Sequence, residues 1–286
     1  MSRHVLHSAA EGSTALEVTP EVAGWEFSGL RVLRLAAGES YGAATDDTEV
    51  LVLSLSGSCR VRCGDQVHVV AGRPDVFTGP SDFVYVPRGA DFEVVSEEGG
   101  RFALASARCD RTLAFRHQPV VDVPLELRGA GHASRQVHNL CLPGTFEADR
   151  LIVCEVLTPG GNWSSYPPHK HDEDGDGESA LEEIYYFEVA DGPHGAGFGY
   201  QRVYGHDGAD IDVLAEVRSG DAVLIPYGWH GPSMAAPGYD LYYLNVMAGP
   251  GHERAWLISD DPQHAWVRDT WTTQPVDPRL PMGGPR

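Results

Sequence analysis

Three imidazoles and one carboxylate in this chain have the types and spacing of a metal-binding set. They lie in Tyr166-Pro-Pro-His169-Lys-His171, in Leu181-Glu-Glu183-Ile-Tyr-Tyr-Phe187 and in Pro226-Tyr-Gly-Trp-His230. Alternate residues of an extended segment face one side, so His169 and His171 point together and Lys170 points away. By the same rule Glu183 shares a face with Tyr185 and Phe187, while Glu182, Ile184 and Tyr186 take the other. Neutral imidazole and carboxylate suit a divalent ion, zinc first and manganese or iron after it, with open positions left for water or substrate. A lone His-x-His pair is common and usually idle. The three pieces in this order are much harder to obtain by accident.

Strands must position such a set. Runs rich in valine, leucine, tyrosine and phenylalanine fall at 49–55, 59–63, 83–87, 102–107, 151–157, 184–189, 199–204, 222–226 and 239–247. Glycine, proline and aspartate punctuate them, and no long helical periodicity is present. The pattern predicts an all-β sandwich or barrel. A weak internal repeat then divides the chain. Gly79-Pro-Ser-Asp-Phe-Val-Tyr-Val-Pro87-Arg-Gly89-Ala-Asp-Phe92 resembles Gly220-Asp-Ala-Val-Leu-Ile-Pro226-Tyr-Gly228-Trp-His230, with Phe92 where the second copy has His230. Thr48-Glu49-Val-Leu-Val-Leu parallels Glu183-Ile-Tyr-Tyr-Phe without a preceding His-x-His. The expected organisation is an N-terminal barrel over 1–130 without metal ligands and a metal-binding barrel over 131–273. A Pro/Gly-rich tail, 274–286, either wraps another surface or is loose. No Ser/Gly-rich linker is visible, so the barrels should form one rigid unit.

Composition bounds the partners. A formal charge of −20 over 286 residues argues against nucleic acid and anionic membrane. The start lacks a signal-peptide core, and no apolar run is long enough to span a bilayer. Five scattered cysteines read as small core residues of a reducing cytoplasm. Asp172 to Glu183 also satisfies a calcium-loop pattern, but Tyr166-Pro-Pro before it and Ile184-Tyr-Tyr-Phe after it oppose the helices that such a loop needs. It reads instead as an acidic hairpin loop.

Glu155-Val-Leu-Thr-Pro-Gly-Gly-Asn-Trp-Ser-Ser-Tyr-Pro-Pro-His-Lys-His-Asp172 closely resembles the 5-deoxy-glucuronate isomerase family of myo-inositol catabolism. That family is a bicupin, related to the 4-deoxy-5-threo-hexosulose-uronate ketol-isomerases. Ser134-Arg-Gln-Val137, Gly197-Phe-Gly-Tyr-Gln-Arg-Val-Tyr204, the stretch 236–249 and Asp261-Pro-Gln-His-Ala-Trp266 extend the match. The resemblance implies a bicupin fold, metal ligands at His169, His171, Glu183 and His230, and a homo-oligomer, dimer or larger. Eleven residues separate His171 from Glu183, which leaves Glu178 and Glu173 as alternative ligands. Glu183 is preferred because an apolar strand follows it directly.

The activity implied is conversion of 5-deoxy-glucuronate to 5-dehydro-2-deoxy-gluconate, an aldose–ketose isomerisation. It needs a group that handles the proton alpha to the carbonyl. Tyr185, Tyr243 and Asn245 are the inward candidates. The substrate carboxylate calls for a guanidinium, and Arg202 is the first expectation, ahead of Tyr166 and Arg135. Two other classes fit the same residues, namely a cupin dioxygenase using iron and a non-catalytic sugar-acid-binding bicupin.

Overall fold

β-Branched and aromatic residues favour the pleated, half-buried surface of a sheet, and every run expected as a strand lies in one, overrunning it by at most two residues at either end. The computed structural model describes residues 3–175 and 177–283. Its helices are short, such as Pro20–Ala23 and Val267–Thr270, and none is long and apolar enough to cross a membrane. One nine-stranded sheet builds the first barrel, and sheets of seven and six strands build the second. The architecture is all-β, as expected.

Strand pairing runs across the expected division at residue 130. Leu125–Arg128 pairs antiparallel with Arg135–Cys141 of the second barrel, and Val5–Leu6 adds to the same sheet beside Ala222–Ile225. Each addition covers a sheet edge that would otherwise expose unpaired N–H and C=O groups. The acidic hairpin loop lies between the strands His169–Lys170 and Glu182–Val189, with no flanking helices. Asp176 of that loop lies outside the described residues.

Alternation divides the apolar residues among three cores. Val50, Val52, Phe92 and Phe102 fill the first barrel. Tyr185, Phe187, Val203 and Tyr243 fill the second. Leu51, Leu53, Ile184, Tyr186 and Leu244 point the other way, into a core that the two barrels share. Both faces of 49–55, within the strand Thr48–Cys63, and of Glu182–Val189 are therefore buried, which explains their near-continuous apolar runs. Each fully buried leucine, isoleucine or phenylalanine contributes about 1.5–3 kcal/mol.

The barrels also exchange polar contacts. Val50 lies opposite Val86 and Glu183 opposite Ile225, and each partner immediately precedes a proline, Pro87 or Pro226. Glu49 and Glu182, one residue earlier, are thus equivalent. Glu49 accepts the backbone N–H groups of Asp149, Arg150 and Leu151 at 2.7–2.8 Å. Glu182 accepts those of Glu26, Phe27 and Ser28 at 2.6–2.8 Å. Deeper in, Arg73 of the first barrel pairs with Glu155 of the second, and both side chains are buried. His138 and Tyr242 complete the shell of Glu155 at 3.1 and 2.7 Å.

Candidate functional site

His169 and His230 are direct cross-strand partners, and Glu183 enters from the facing sheet. His171 follows the strand His169–Lys170, and its backbone carbonyl accepts from Leu181 N at 2.8 Å. The Nδ1 atoms of His169, His171 and His230 lie 3.3, 3.1 and 3.2 Å from the carbonyls of Pro167, Leu181 and Gly228. Such contacts fix ring orientation and tautomer, leaving each Nε2 free to act as a ligand.

His171 Nε2 is 3.0 Å from Glu183 Oε2, and His230 Nε2 is 3.1 Å from the same oxygen. The His230 contact is out of line for a hydrogen bond, so this buried nitrogen has no hydrogen-bond partner. Ligand atoms of His171, Glu183 and His230 all fall within 4.8 Å of one another. The His169 ring completes the cluster 4.4 Å from that of His230. Burial, reinforced by His230 and His171, holds His169 well below the ordinary imidazole range, in the neutral form that ligates metal. Three converging donors, His171, Glu183 and His230, around an orphaned Nε2, with the His169 ring beside them, fit a divalent ion.

Glu178 and Glu173 do not join this set. Both turn to Lys170, whose Nζ lies 2.8 Å from Glu178 and 3.5 Å from Glu173. Lys170 faces away from the histidines, as strand parity predicts, and also pairs with Asp172.

A cavity of about 500 Å³ opens beside the histidines, lined by Arg135, Ser165, Tyr185, Tyr243, Asn245 and Trp271. Tyr185 Oη and Ser165 Oγ are 2.7 Å apart, and Asn245 Nδ2 is buried without a partner among the described residues. Burial pushes the phenols of Tyr185 and Tyr243 up, with Glu183 reinforcing the effect on Tyr185. Ser165 was not anticipated; it is one of only two described non-glycine residues with positive φ, at 51°. The one available signal was its place directly before Tyr-Pro-Pro-His. Trp271 was missed as well, because nothing local in the sequence links it to the site.

The expectation for Arg202 is corrected. Gln201 takes the inward position, fully buried against Ser233, and Arg202 turns outward to Asp212 and two backbone carbonyls. Tyr166 also faces an outer groove, against Trp163. Three arginines line the cavity; Arg128 and Arg268 pair with Glu126 and Asp260, which leaves Arg135. Its described hydrogen bonds go only to the carbonyls of Ala133 at 3.1 Å and Tyr166 at 3.4 Å, and the Trp271 ring lies 5.6 Å away. No carboxylate partners it among the described residues. Burial lowers its pKa to about 10, the mark of a cation held without a counter-ion.

The KduI/IolB family pattern matches residues 3–267. The chain belongs to that family. Among curated members, a 5-deoxy-glucuronate isomerase of Geobacillus kaustophilus is 43% identical over 275 residues, covering 94% of this chain and 97% of its own length. One from Bacillus velezensis is 38% identical over 254 residues, covering 88% and 91%. The crystal structure of an IolB-like protein from Salmonella typhimurium is 35% identical with a TM-score of 0.85, covering 92% of this chain and 98% of that one. Oxalate decarboxylase from Bacillus subtilis shares the fold at 14% identity and a TM-score of 0.63, covering 91% of this chain and 80% of its own.

Proposed function

We propose that this KduI/IolB family member is a 5-deoxy-glucuronate isomerase, forming 5-dehydro-2-deoxy-gluconate in inositol catabolism. The observation that carries the reading is one cavity lined both by His169 of the metal-ligand set and by a buried arginine without a carboxylate partner. Such a cavity fits a sugar acid held at both ends. The relatives of that name, matched over nearly the whole chain, support the same substrate.

The reaction moves a proton from the carbon beside the aldehyde to the aldehyde carbon through an enediol. His169, His171, Glu183 and His230 would hold a divalent ion, which when bound supplies Lewis acidity at the carbonyl and neighbouring hydroxyl oxygens. Zinc suits the donor set best, with manganese or iron as alternatives. Arg135 grips the carboxylate and fixes the substrate's orientation in the cavity. Tyr185, oriented by Ser165, and Tyr243 serve as hydroxyl donors toward substrate oxygens, and Asn245 Nδ2 supplies a further donor.

All five cysteines are free, which supports a reducing cytoplasm as the setting. Exposed Trp163 and Trp266 support a homo-oligomer, which sedimentation would test. The functional reading is tested by anaerobic conversion of 5-deoxy-glucuronate. Turnover should persist without oxygen, cease on chelation and return with zinc; a requirement for oxygen would overturn it.

A further inference from the structure

The residues on either side of Arg135 are fastened to the far end of the chain. Ser134 Oγ accepts the N–H of Asp277 at 3.0 Å. The Gln136 side chain makes a paired contact with the Met282 backbone, accepting its N–H at 2.7 Å and donating to its carbonyl at 3.3 Å. Gly131, which leads into the same strand, donates its N–H to Pro275 O at 2.8 Å. Asn162 closes the arrangement, donating from one amide nitrogen to Ser134 O and to Asp277 Oδ2, both at 3.0 Å. Arg279 then ties Asp277 to the second barrel through Asp277 Oδ2 at 2.6 Å and Gly160 O at 2.8 Å.

The same segment starts just after Trp271, the ring beside the Arg135 guanidinium. Its contacts therefore fall on both backbone neighbours of the arginine, Ser134 and Gln136. An unpaired buried guanidinium has no carboxylate to fix its direction, so its aim depends on the backbone that carries it. A Pro/Gly-rich stretch has little helix or strand preference of its own. Its order here comes from the contacts with Ser134, Gln136 and Asn162.

We propose that residues 274–282 form a positioning strap for Arg135, with Asp277 as its principal fastening. This rests on the reading of Arg135 as the group that binds the substrate carboxylate. Asp277 does not touch the cavity; its side chain acts through Asn162, whose amide also holds the Ser134 carbonyl, and through Arg279. Loosening it misaims the arginine and weakens capture of the acid end, while the chemistry at the other end proceeds.

The test uses full-length, metal-loaded enzyme carrying Asp277→Ala, Asp277→Asn or Arg135→Gln. Each is assayed on 5-deoxy-glucuronate and on the 5-deoxy aldose with a hydroxymethyl group in place of the carboxylate. Asp277→Ala should raise KM for the uronate roughly tenfold, the loss expected when one charge-assisted contact is misaligned. Its kcat should stay within about twofold, and KM for the neutral aldose should not move. Asp277→Asn, which keeps an oxygen acceptor for Asn162, should restore most of the loss. An unchanged uronate KM in Asp277→Ala, or an equal rise for both substrates, would overturn the strap. If Arg135→Gln itself leaves the uronate KM unchanged, the carboxylate reading fails instead, and the strap with it.

Discussion

Val50 occupies in the first barrel the register position that Glu183 holds in the second, each paired across to the residue before a proline. Around Val50 the equivalent site is lined by Ala43, Thr45 and Phe92, all at the mouth of the first barrel. The hydroxyl of Thr45 is satisfied by the carbonyls of Pro87 and Ala90 at 2.8 and 3.2 Å. Among the described residues, no three His, Cys, Asp or Glu side chains converge in the first barrel as they do in the second. The first barrel instead supplies packing, through the shared core and the Arg73–Glu155 pair.

Metal content should follow this asymmetry. Elemental analysis of protein purified without chelator should find one divalent ion per chain. His230→Ala should weaken binding by more than the roughly 10–100-fold typical of outer-shell changes. The circular dichroism spectrum should survive, because an open catalytic site contributes less to folding than a closed structural one. Retained metal in His230→Ala would place the ion elsewhere.

Arg135 and Arg202 should separate cleanly in kinetics. Arg135→Gln should raise KM for the uronate by roughly ten- to a hundredfold, the worth of a charge-assisted contact. Arg135→Lys should recover only part of that, because the planar fork is lost. Arg202→Lys should be silent. Normal turnover by Arg135→Gln would remove the arginine from the binding site.

Thermal melts should show the cost of keeping an unpaired cation. Burial lowers the Arg135 pKa to about 10, so its charged form is disfavoured by folding. Arg135→Met should therefore not lower Tm, even as uronate binding is lost. A large fall in Tm would mark the arginine as structural.

The inter-barrel pair should govern acid stability. Burial alone would raise the Glu155 carboxyl, but Arg73 and His138 outweigh it and bring the pKa to about 2 from an ordinary 4.5. A depressed folded pKa gives stability that is fully present above pH 4.5 and lost as pH falls toward 2. The contribution is on the order of 3 kcal/mol. Melts between pH 6 and 3 should steepen below 4.5, and Glu155→Gln should flatten that slope while lowering Tm at neutral pH. Equal slopes in the two proteins would contradict the assignment.

Much of the site was legible because strand alternation is strict. His169 and His171 on one side, Lys170 on the other, and Glu183 with Tyr185 inward all follow from it. Arg202 was misplaced although a clue was present: Val203 shares parity with Gln201, and the buried valine fixes which face is inward. The strand Arg135–Cys141 lacks an apolar alternation because its outward polar residues, Gln136 and His138, are buried too. Their partners, Met282 and Glu155, are remote in sequence, so no local pattern could reveal them. The strap was illegible for the same reason.

Deuterium NMR of the product formed in D2O tests the isomerase assignment most directly. Incubation of the metal-loaded protein with 5-deoxy-glucuronate, without oxygen, should yield the ketose with deuterium on the hydroxymethyl carbon beside the new carbonyl, to the extent that the transferred proton exchanges with solvent. Arg135→Gln should form the same product at a higher substrate concentration. Failure to form any ketose from the uronate in the metal-loaded enzyme would contradict the assignment.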